Sequence, residues 1–300
     1  MSSPKILITG GSGSIGKHLR KIFAQNNYHA KILTRNQHPG QDGFHWNLDS
    51  NYIDPKAFDE TGTIIHLAGA NLNDGRWTAK RKKEIIDSRV KTAALIFEKL
   101  KSTSHEVRTF ISASGTGIYG NTGDVEVNET SASGNDFSAE VCRQWEEEAK
   151  KFSGIGIRVV ILRVGPVMAK ESGALPELAL PVKFFGSAPL GTGKQVMSWI
   201  HLEDACAAYL KAVEDTTMQG VFNVVAPNPV SNRDLMKAFA KILHRPFWPF
   251  HIPSFALELL LGEKAGIALG GQRVSSKKIQ QAGFKFQFEN IESALSDLLK

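Results

Sequence analysis

Cysteine is scarce in this chain of 300 residues, which contains only Cys142 and Cys206. Both fall within helical patterns, and their spacing fits neither a disulfide framework nor a cysteine-based metal site. The histidines at positions 29, 38, 45 and 66 show no ligand spacing with one another or with the cysteines. We therefore expect a protein of a reducing compartment, with no disulfide and no metal centre.

Long apolar stretches are also absent. The longest, at residues 255–261, is too short to cross a bilayer and is interrupted by Glu258. The first strand pattern begins at Lys5, so no room is left before it for a signal peptide. The sequence predicts a soluble, cytoplasmic protein with no membrane partner.

Positive charge is in modest excess, with a formal net charge of +6. The basic residues are scattered, and the densest run, at residues 80–83, leads into Glu84 and Asp87 in a helical pattern. This arrangement is typical of a solvated helix face, with a phosphate-binding or nucleic-acid-binding patch as the alternative. The balance favours a small anionic ligand and no nucleic acid, and it leaves monomer and homodimer both open.

Short apolar runs alternate with helical patterns over the first half of the chain. Strands are predicted at residues 6–9, 30–34, 63–67, 108–112, 158–162 and 221–225, helices at 14–25, 78–101 and 138–152, and a loop containing Pro39, Gly40 and Gly43. This alternation predicts an α/β fold of the Rossmann type with a doubly wound parallel sheet. We assign residues 1–165 and 199–226 to the Rossmann domain, and residues 166–198 and 227–300 to a smaller, mostly helical substrate domain.

A glycine-rich turn joins the first predicted strand to the first predicted helix. Its sequence, GGSGSIG at residues 10–16, satisfies the GxGxxG pattern in the strand-to-helix context that a dinucleotide site requires. Glycine allows the tight turn and the close approach of a pyrophosphate, which meets the positive end of the helix. An ordinary glycine-rich turn is the alternative.

Cofactor preference depends on the residue that follows the second strand, which is Arg35. NAD-selective sites usually place Asp or Glu there to bind the adenosine ribose hydroxyls, whereas the planar fork of arginine suits a 2′-phosphate. The sequence therefore favours NADP(H) over NAD. A solvated arginine is the alternative, and it would leave the preference undecided.

Segments spread over essentially the whole chain resemble a single family. The most specific are RWT at residues 76–78 with SRV at 88–90, and SWIH at 198–201 with ED at 203–204. Further matches are HLAGA at 66–70, SAS at 112–114 leading to YG at 119–120, residues 137–146, PNP at 227–229, GE at 262–263 and AGF at 282–284. The chain resembles the atypical extended short-chain dehydrogenase/reductases called "epimerase family" proteins, which carry a C-terminal domain of unknown function of the DUF1731 type.

The resemblance implies NADP(H) binding by the N-terminal part and a substrate cleft against the C-terminal part, but no particular reaction. It assigns the pyrophosphate to the glycine turn, the 2′-phosphate to Arg35, the adenine to residues 47–48 and the nicotinamide side to Arg89. The implied cofactor-binding residues are Gly10, Ser12, Gly13, Ser14, Ile15, Gly16, Arg35, Asn47, Leu48, Leu67, Ala68, Gly69, Arg89, Gly165, Pro166 and Val167.

The Tyr-x-x-x-Lys pair of working members of this superfamily is missing from the sequence. In those enzymes the Tyr transfers a proton, the Lys lowers its pKa and holds the ribose, and a serine binds the reacting oxygen. Ser114 fits the serine role, with Ser112 as the alternative. Aligning Glu146 with the acidic residue that follows the pair puts Ser138 at the Tyr position and Cys142 at the Lys position. Both would then face the cofactor cleft, and the alternative for the cysteine is a core residue.

The substrate cleft is expected to include Gln195, Trp199, His201 and Arg273. Arg273 would suit an anionic substrate group, with a solvated arginine as the alternative. His201 is expected to be a hydrogen-bonded structural residue at this edge, with an acid or base as the alternative, and Asp204 is expected to cap the helix that follows.

Two functions stay open at this point. One is an NADP(H)-dependent oxidoreductase or epimerase-like enzyme that acts on a small molecule with a non-standard proton donor. The other is a non-catalytic NADP(H)-binding sensor or scaffold. The missing Tyr-x-x-x-Lys pair favours the second function, and the cleft segments at residues 197–204 and around Arg273 favour the first.

Overall fold

The computed structural model describes residues 5–38 and 40–300. Pro39 of the predicted loop lies outside the described residues, and Gly43 begins a strand instead of belonging to that loop. The strands are β1 (Lys5–Thr9), β2 (His29–Thr34), β3 (Gly43–Asn47), β4 (Tyr52–Ile53), β5 (Thr61–His66), β6 (Thr109–Gly115), β7 (Glu126–Val127), β8 (Arg158–Val164), β9 (Val167–Ala169), β10 (Ser172–Gly173), β11 (Val196–Met197), β12 (Ile200–His201), β13 (Gly220–Val224), β14 (Val230–Ser231) and β15 (Arg273–Val274). The helices are α1 (Ser14–Gln25), α2 (Ala79–Ser102), α3 (Phe137–Lys150), α4 (Ala174–Lys183), α5 (Leu202–Glu214), α6 (Asn232–Ile242), α7 (Ser254–Leu261), α8 (Ala265–Leu269), α9 (Lys277–Gln281) and α10 (Ile291–Leu299).

The main sheet has eight strands in the order β13-β8-β6-β5-β1-β2-β3-β4. Neighbouring strands are parallel throughout, except that β4 is antiparallel to β3. The chain runs outward from β1 to β3 and then returns to add β5, β6, β8 and β13 on the other side. This is the doubly wound order, and it confirms the predicted Rossmann architecture. The order reverses between β1 and β5, where such sheets bind their ligands beyond the carboxyl ends of the strands.

Both faces of this sheet are covered by helices, which explains the continuous apolar runs of its strands. Ile6 and Ile8 of β1 point to the face covered by α1 and α5, whereas Leu7 between them points to the face covered by α2 and α3. All three side chains are essentially inaccessible to solvent. Each such burial stabilises the fold by about 1.5–3 kcal/mol, so β1 is firmly anchored beneath the turn that follows it.

A third apolar cluster lies outside the main sheet. It combines residues of α4, α6 and α10 with Met168 of β9 and with Trp199. Small sheets join the elements around it, with β9 between β10 and β12, and with β11 paired to β14. The domain boundaries at residues 165/166, 198/199 and 226/227 stay a prediction.

The longest helix is α2, with 24 residues, and it begins with a side-chain cap. The Thr78 hydroxyl accepts a hydrogen bond from the Arg81 backbone N–H, which satisfies one of the free donors of the first turn. No helix among residues 5–38 and 40–300 combines the length and apolar composition that crossing a membrane requires.

Candidate functional site

The glycine turn between β1 and α1 leaves the first turn of α1 without a side-chain cap. Gly13 is the N-cap residue, and its extended backbone offers no side-chain acceptor to the N–H groups that follow. The turn is closed by a hydrogen bond from the Gly13 N–H to the Gly10 carbonyl at 3.0 Å. Uncapped N–H groups at a helix N-terminus bind anions, because they donate hydrogen bonds and the helix dipole favours negative charge.

Close backbone packing explains the glycines of this turn. Gly10 has a φ of +71°, and a Cβ there would lie 2.9 Å from the carbonyl carbon of Leu67. A Cβ on Gly16 would lie 2.5 Å from the Gly10 carbonyl oxygen, and one on Gly11 would overlap the Ile32 side chain. The turn is therefore held tightly against β2 and the segment after β5. Its open backbone and uncapped helix end fit the pyrophosphate of a dinucleotide.

The segment after β5 is fixed to the glycine turn by a buried hydrogen-bond chain. The Thr9 hydroxyl oxygen accepts from the Leu67 and Ala68 N–H groups at 3.2 and 3.1 Å, and it lies 2.8 Å from His66 Nδ1. Thr9 therefore donates its own proton to Nδ1, which leaves a proton on Nε2 to donate to the Arg89 carbonyl at 3.2 Å. Burial lowers the pKa of His66 to about 4, so the ring is neutral.

Two adjacent residues of α2 bind both backbone groups of Ala70. The Ser88 hydroxyl accepts from the Ala70 N–H at 2.8 Å, and Arg89 Nη1 donates to the Ala70 carbonyl at 3.1 Å. The same Nη1 also donates to the Ile85 carbonyl at 2.9 Å. The serine and arginine of the SRV segment thus hold the chain as it leaves β5.

The predicted adenine-side residues lie beyond the ends of β2 and β3. Arg35 follows β2 directly and is exposed. Asn47 ends β3, and its side-chain oxygen accepts hydrogen bonds from the N–H groups of Asp49 and Ser50. Leu48 packs against the core on the α2 side of the sheet. These positions place Arg35 at the same edge of the sheet as the glycine turn.

The segment after β8 connects the main sheet to the smaller β9 sheet. The Gly165 N–H donates to the Val224 carbonyl, and a Cβ on Gly165 would overlap the Ser198 carbonyl oxygen. Pro166 accepts from the Ile200 N–H at 3.1 Å, and Val167 begins β9. The Ser172 hydroxyl of the following β10 donates to the Ser14 hydroxyl at 2.6 Å. The structure thereby brings Ser172 to the glycine turn.

Ser114 is engaged by a buried ion pair. Its hydroxyl donates to Glu146 Oε1 at 2.8 Å, and both oxygens of this carboxylate accept from Arg163 at 2.7 and 2.9 Å. All three side chains are buried. Burial alone would lower the pKa of Arg163, but its hydrogen bonds to Glu146 raise it by more, so the guanidinium stays charged. In this geometry the Ser114 hydroxyl donates to Glu146 and can accept a hydrogen bond from a ligand; its role beside a reacting oxygen stays a prediction.

The ion pair extends through Tyr119 to the last strand of the sheet. Arg163 Nη1 donates to the Tyr119 hydroxyl at 2.9 Å, and this hydroxyl donates to Asn223 Oδ1 at 2.7 Å. Burial raises the pKa of Tyr119. The phenol is therefore a structural link between β8 and β13.

The helix face that carries Ser138 and Cys142 is covered by the chain that follows β6. A 3-10 turn at Thr116–Tyr119 packs on this face of α3. A Cβ on Gly117 would lie 3.2 Å from the Ser138 Cβ, and one on Gly115 would lie 3.5 Å from the Cys142 sulfur. The cysteine is 7% exposed, and burial raises its pKa to about 11. Cys142 is therefore a core residue, and the interpretation of it as a catalytic group facing the cleft is corrected.

Two predicted cleft residues have structural partners. Trp199 is completely buried in the third cluster, and its indole N–H donates to the Asn228 carbonyl at 3.1 Å. The Gln195 amide donates to the carbonyls of Leu190 and Ala268 at 3.0 and 3.1 Å. Trp199 does not line an open cleft, because its side chain fills the core, whereas Gln195 ties the loop before β11 to α8.

His201 and Asp204 both have structural roles around α5. His201 caps α5, since its Nδ1 accepts from the Glu203 N–H at 3.1 Å, and its ring stacks on Phe288 at 3.8 Å. The prediction that Asp204 is the cap is wrong. Its carboxylate accepts from the Gln287 and Phe288 N–H groups at 2.8 and 2.9 Å. His201 is buried and its Nδ1 is committed as an acceptor, which favours the alternative of a hydrogen-bonded structural residue.

Arg273 lies in β15, beside β7, and is paired. Its Nε and Nη2 donate to one oxygen of Asp124 at 2.8 and 2.6 Å. Its role in binding a substrate anion stays a prediction, because this ion pair is exposed and leaves Arg273 accessible. In the described part of the chain, no three His, Cys, Asp or Glu side chains are grouped so that they could hold a metal ion.

The sequence of this chain matches a known family. The NAD dependent epimerase/dehydratase family matches residues 6–225, and the chain belongs to it. A domain of unknown function (DUF1731) matches residues 252–298.

The chain is similar to curated proteins over its whole length. It is 36% identical over 299 residues to epimerase family protein YfhF of Bacillus subtilis (strain 168), covering 98% of this chain and 97% of that protein. It is 34% identical over 293 residues to epimerase family protein ML0860 of Mycobacterium leprae (strain TN), covering 97% and 94%.

Solved structures show the same architecture. The crystal structure of human epimerase family protein SDR39U1 (isoform 2) with NADPH matches with a TM-score of 0.89 and 25% identity, covering 98% of both chains. UDP-glucose 4-epimerase of Thermotoga maritima, solved with UDP-glucose, matches with a TM-score of 0.77 and 17% identity over 98% of both chains. The similarity to the UDP-glucose 4-epimerase shows a shared fold and nothing further.

Proposed function

We propose that this protein binds NADP(H) at the glycine turn and exchanges hydride between this cofactor and a small, anionic molecule, as an oxidoreductase or epimerase-like enzyme. The observation that carries the proposal is the uncapped N-terminus of α1 behind a turn whose glycines pack too closely for a Cβ. The human relative was crystallised with NADPH, which supports the choice of cofactor.

Different residues of the chain would bind different parts of the cofactor. N–H groups of residues 12–16 would bind the pyrophosphate, and Arg35 would pair with the 2′-phosphate. Residues 67–69, held by Thr9 and His66, would position the ribose side. When bound, the nicotinamide ring supplies the hydride donor or acceptor. Ser114 would accept a hydrogen bond from a ligand hydroxyl or amide, since its own proton is committed to Glu146.

Calorimetry with NADPH and NADH tests the cofactor. A charge-assisted pair between Arg35 and the 2′-phosphate should favour NADPH by about 1.5–3 kcal/mol, which is about tenfold to 150-fold in affinity. Arg35→Ala should remove most of this preference and leave NADH binding nearly unchanged. Arg108→Ala is the matched control, because Arg108 is also exposed but precedes β6 at the opposite edge of the sheet. Equal affinities for the two cofactors in the wild type would refute the preference.

A second function, NADP(H) binding without catalysis, is favoured by one observation. Residues 115–119 cover the Ser138 and Cys142 face of α3, where the superfamily places its proton-transfer pair. Protein loaded with NADPH and offered pools of carbonyl metabolites separates the two functions. Oxidation of NADPH above the rates without protein and without metabolite supports the enzyme. An epimerase-like enzyme returns the hydride to its cofactor, so each pool, incubated with the NADPH-loaded and with the NADP⁺-loaded protein, is also analysed for interconverted metabolites. Unchanged cofactor and unchanged metabolites in every pool, with binding intact, support the binding protein.

A further inference from the structure

Five large apolar side chains are exposed where α4 ends and in the chain that follows α6. They are Leu180, Phe184, Phe185, Trp248 and Phe250, which are 57%, 78%, 56%, 41% and 61% exposed, and we call them the aromatic patch. Single exposed apolar residues are ordinary on a protein surface, whereas a contiguous group of large ones marks a binding surface. The meaning of these side chains therefore depends on whether they form one surface.

Direct contacts join the two segments that carry the aromatic patch. The Trp248 indole N–H donates to the Phe185 carbonyl at 2.8 Å. The rings of Trp248 and Phe250 stack with their centroids 5.9 Å apart. Leu180 lies one helical turn before Phe184, so both residues are on the same side of α4. The five side chains thus belong to one continuous surface.

The backbone at the end of α4 holds the Phe185 ring outside the core. The N–H of Phe185 donates to the Val182 carbonyl at 3.0 Å and that of Gly186 to the Pro181 carbonyl at 2.7 Å, which ends the helix in a Schellman motif. Phe185 occupies the left-handed position of this motif, with a φ of +64°, where glycine is the usual residue. Burial does not explain an aromatic residue at this position, because its ring is mostly exposed. A contact made by the exposed ring would explain it.

The aromatic patch is bordered by positive charge. Residues 174–186 and 240–252, which surround it, contain Lys183, Lys241 and Arg245 but only one acidic residue, Glu177. The Arg245 guanidinium lies 4.7 Å from the centre of the Phe185 ring, and its Nε donates to the Lys183 carbonyl. Within residues 5–38 and 40–300, none of these three cations forms an ion pair. The surface is therefore apolar at its centre and basic at its edge.

This charge distribution favours an anionic membrane surface over a second copy of the chain. In a two-fold contact between copies the patch meets itself, so an excess of positive charge would face the same excess. Anionic headgroups would instead pair with the cations, while the apolar rings enter the boundary between headgroups and acyl chains, which suits tryptophan in particular. We infer that the aromatic patch docks this protein on the surface of a membrane that contains anionic lipid. Such binding is peripheral and independent of the proposed function, and it departs from the expectation of no membrane partner.

Trp248 allows a direct test with the full-length protein, because it is the most exposed of the five tryptophans. Vesicles of phosphatidylcholine with and without phosphatidylglycerol are added, and binding is measured by co-sedimentation and by tryptophan emission. Trp248→Phe assigns the emission change, because phenylalanine keeps an apolar ring and removes the fluorophore. Phe184→Ser and Lys183→Glu test the apolar centre and the basic edge. Val125→Ser and Lys101→Glu are the matched controls, since both residues are exposed and lie outside the patch.

We expect binding to the anionic vesicles only, weaker at high salt, with an emission shift to shorter wavelength that Trp248→Phe abolishes. Phe184→Ser should weaken binding by about tenfold or more and Lys183→Glu by about fivefold or more, while both controls bind as the wild type does. The changed side chains of these four variants are exposed, so we expect the wild-type melting temperature in each.

Absence of binding to either kind of vesicle overturns the inference. Equal binding to the neutral vesicles, or an equal loss of binding in the two control variants, overturns it as well. Sedimentation velocity without lipid tests the other occupant. If the wild type forms a dimer that Phe184→Ser dissociates, and the vesicles do not bind, the aromatic patch is a contact between copies of this chain and not a membrane-docking surface.

Discussion

Replacing Cys142 by lysine tests whether the α3 face points into the core or into the cofactor cleft. A lysine at the cleft would recover the cation that the superfamily uses to hold the ribose. In this structure the side chain at position 142 meets Gly115 and an apolar cluster with Ile118, Val225 and Val274. We therefore expect Cys142→Lys to destabilise the protein and to add nothing to NADPH affinity.

The magnitude follows from the cost of keeping a lysine neutral. An ordinary lysine has a pKa of about 10.4, so deprotonating it near pH 7 costs about 5 kcal/mol, which is the upper limit of the charge penalty. The added volume costs a further ~1–3 kcal/mol in a packed site. A buried lysine binds fewer protons in the folded state than in the unfolded state, so the stability of the variant should rise with pH by up to about 1.4 kcal/mol per unit.

Urea unfolding at about pH 7 and pH 9, followed by circular dichroism, measures both effects. Cys142→Met is the matched control, because methionine has a similar length and flexibility without the charge. The free energy of unfolding of the lysine variant should be several kcal/mol below that of the methionine variant at the lower pH. This difference should shrink at the higher pH. If the lysine variant is as stable as the methionine variant at both pH values and binds NADPH more tightly, the face is open to the cofactor and the burial argument is refuted.

Three further predictions concern the site and its frame. Gly16→Ala places a Cβ 2.5 Å from the Gly10 carbonyl and should weaken NADPH binding at least tenfold by calorimetry, whereas Gly154→Ala, with no atom within 4 Å, should not. Because burial lowers the pKa of His66 to about 4, the folded state binds fewer protons than the unfolded state below about pH 6.5. Melts should therefore show up to about 3 kcal/mol of stability lost as the pH falls from about 6.5 to 4, and His66→Gln should flatten this dependence. Glu146→Gln leaves Arg163 without its counter-charge and should cost about 3–5 kcal/mol in urea unfolding, while the exposed Glu147→Gln should change stability by less than about 0.5 kcal/mol.

The Rossmann sheet could be predicted because each of its long strands is indicated by a short apolar run in the sequence of that strand itself. Each of the six predicted strands matches an observed strand of the main sheet, and the predicted helix at residues 14–25 has the bounds of α1. β3 was missed because its core, FHWN, is short and carries polar residues, and its burial depends on pairing with β2. Apolar periodicity identifies strands and helices whose own sequence is mostly apolar. It overlooks strands whose burial depends on pairing with a neighbouring strand.

The covered face of α3 could not be predicted, because it depends on what packs on the helix. The spacing of Ser138 and Cys142 correctly places them on one side of α3. The side of α3 that is covered is determined by the chain around the turn at Thr116–Tyr119. Gly115 and Gly117 allow this chain to lie directly on α3. The two glycines flanking Thr116 were the available signal, since small residues mark close backbone approach.

The arginines show that a sequence reveals where a positive charge is, but not whether that charge is free to bind a ligand. Arg273 was interpreted as an anion-binding residue from its place in the C-terminal part of the chain, yet Asp124, 149 positions away, occupies its fork. Arg89 lies in the middle of a helix that reads as amphipathic, yet its Nε has no partner among the described residues. Whether a guanidinium is free to bind a ligand depends on which distant segments reach it. Among the described residues, no carboxylate pairs with Arg89 where α2 crosses Gly69 and Trp145. Whether a buried arginine lacks a charged partner is therefore determined by the fold. It can be recognised only when the partners of each arginine are known from the structure.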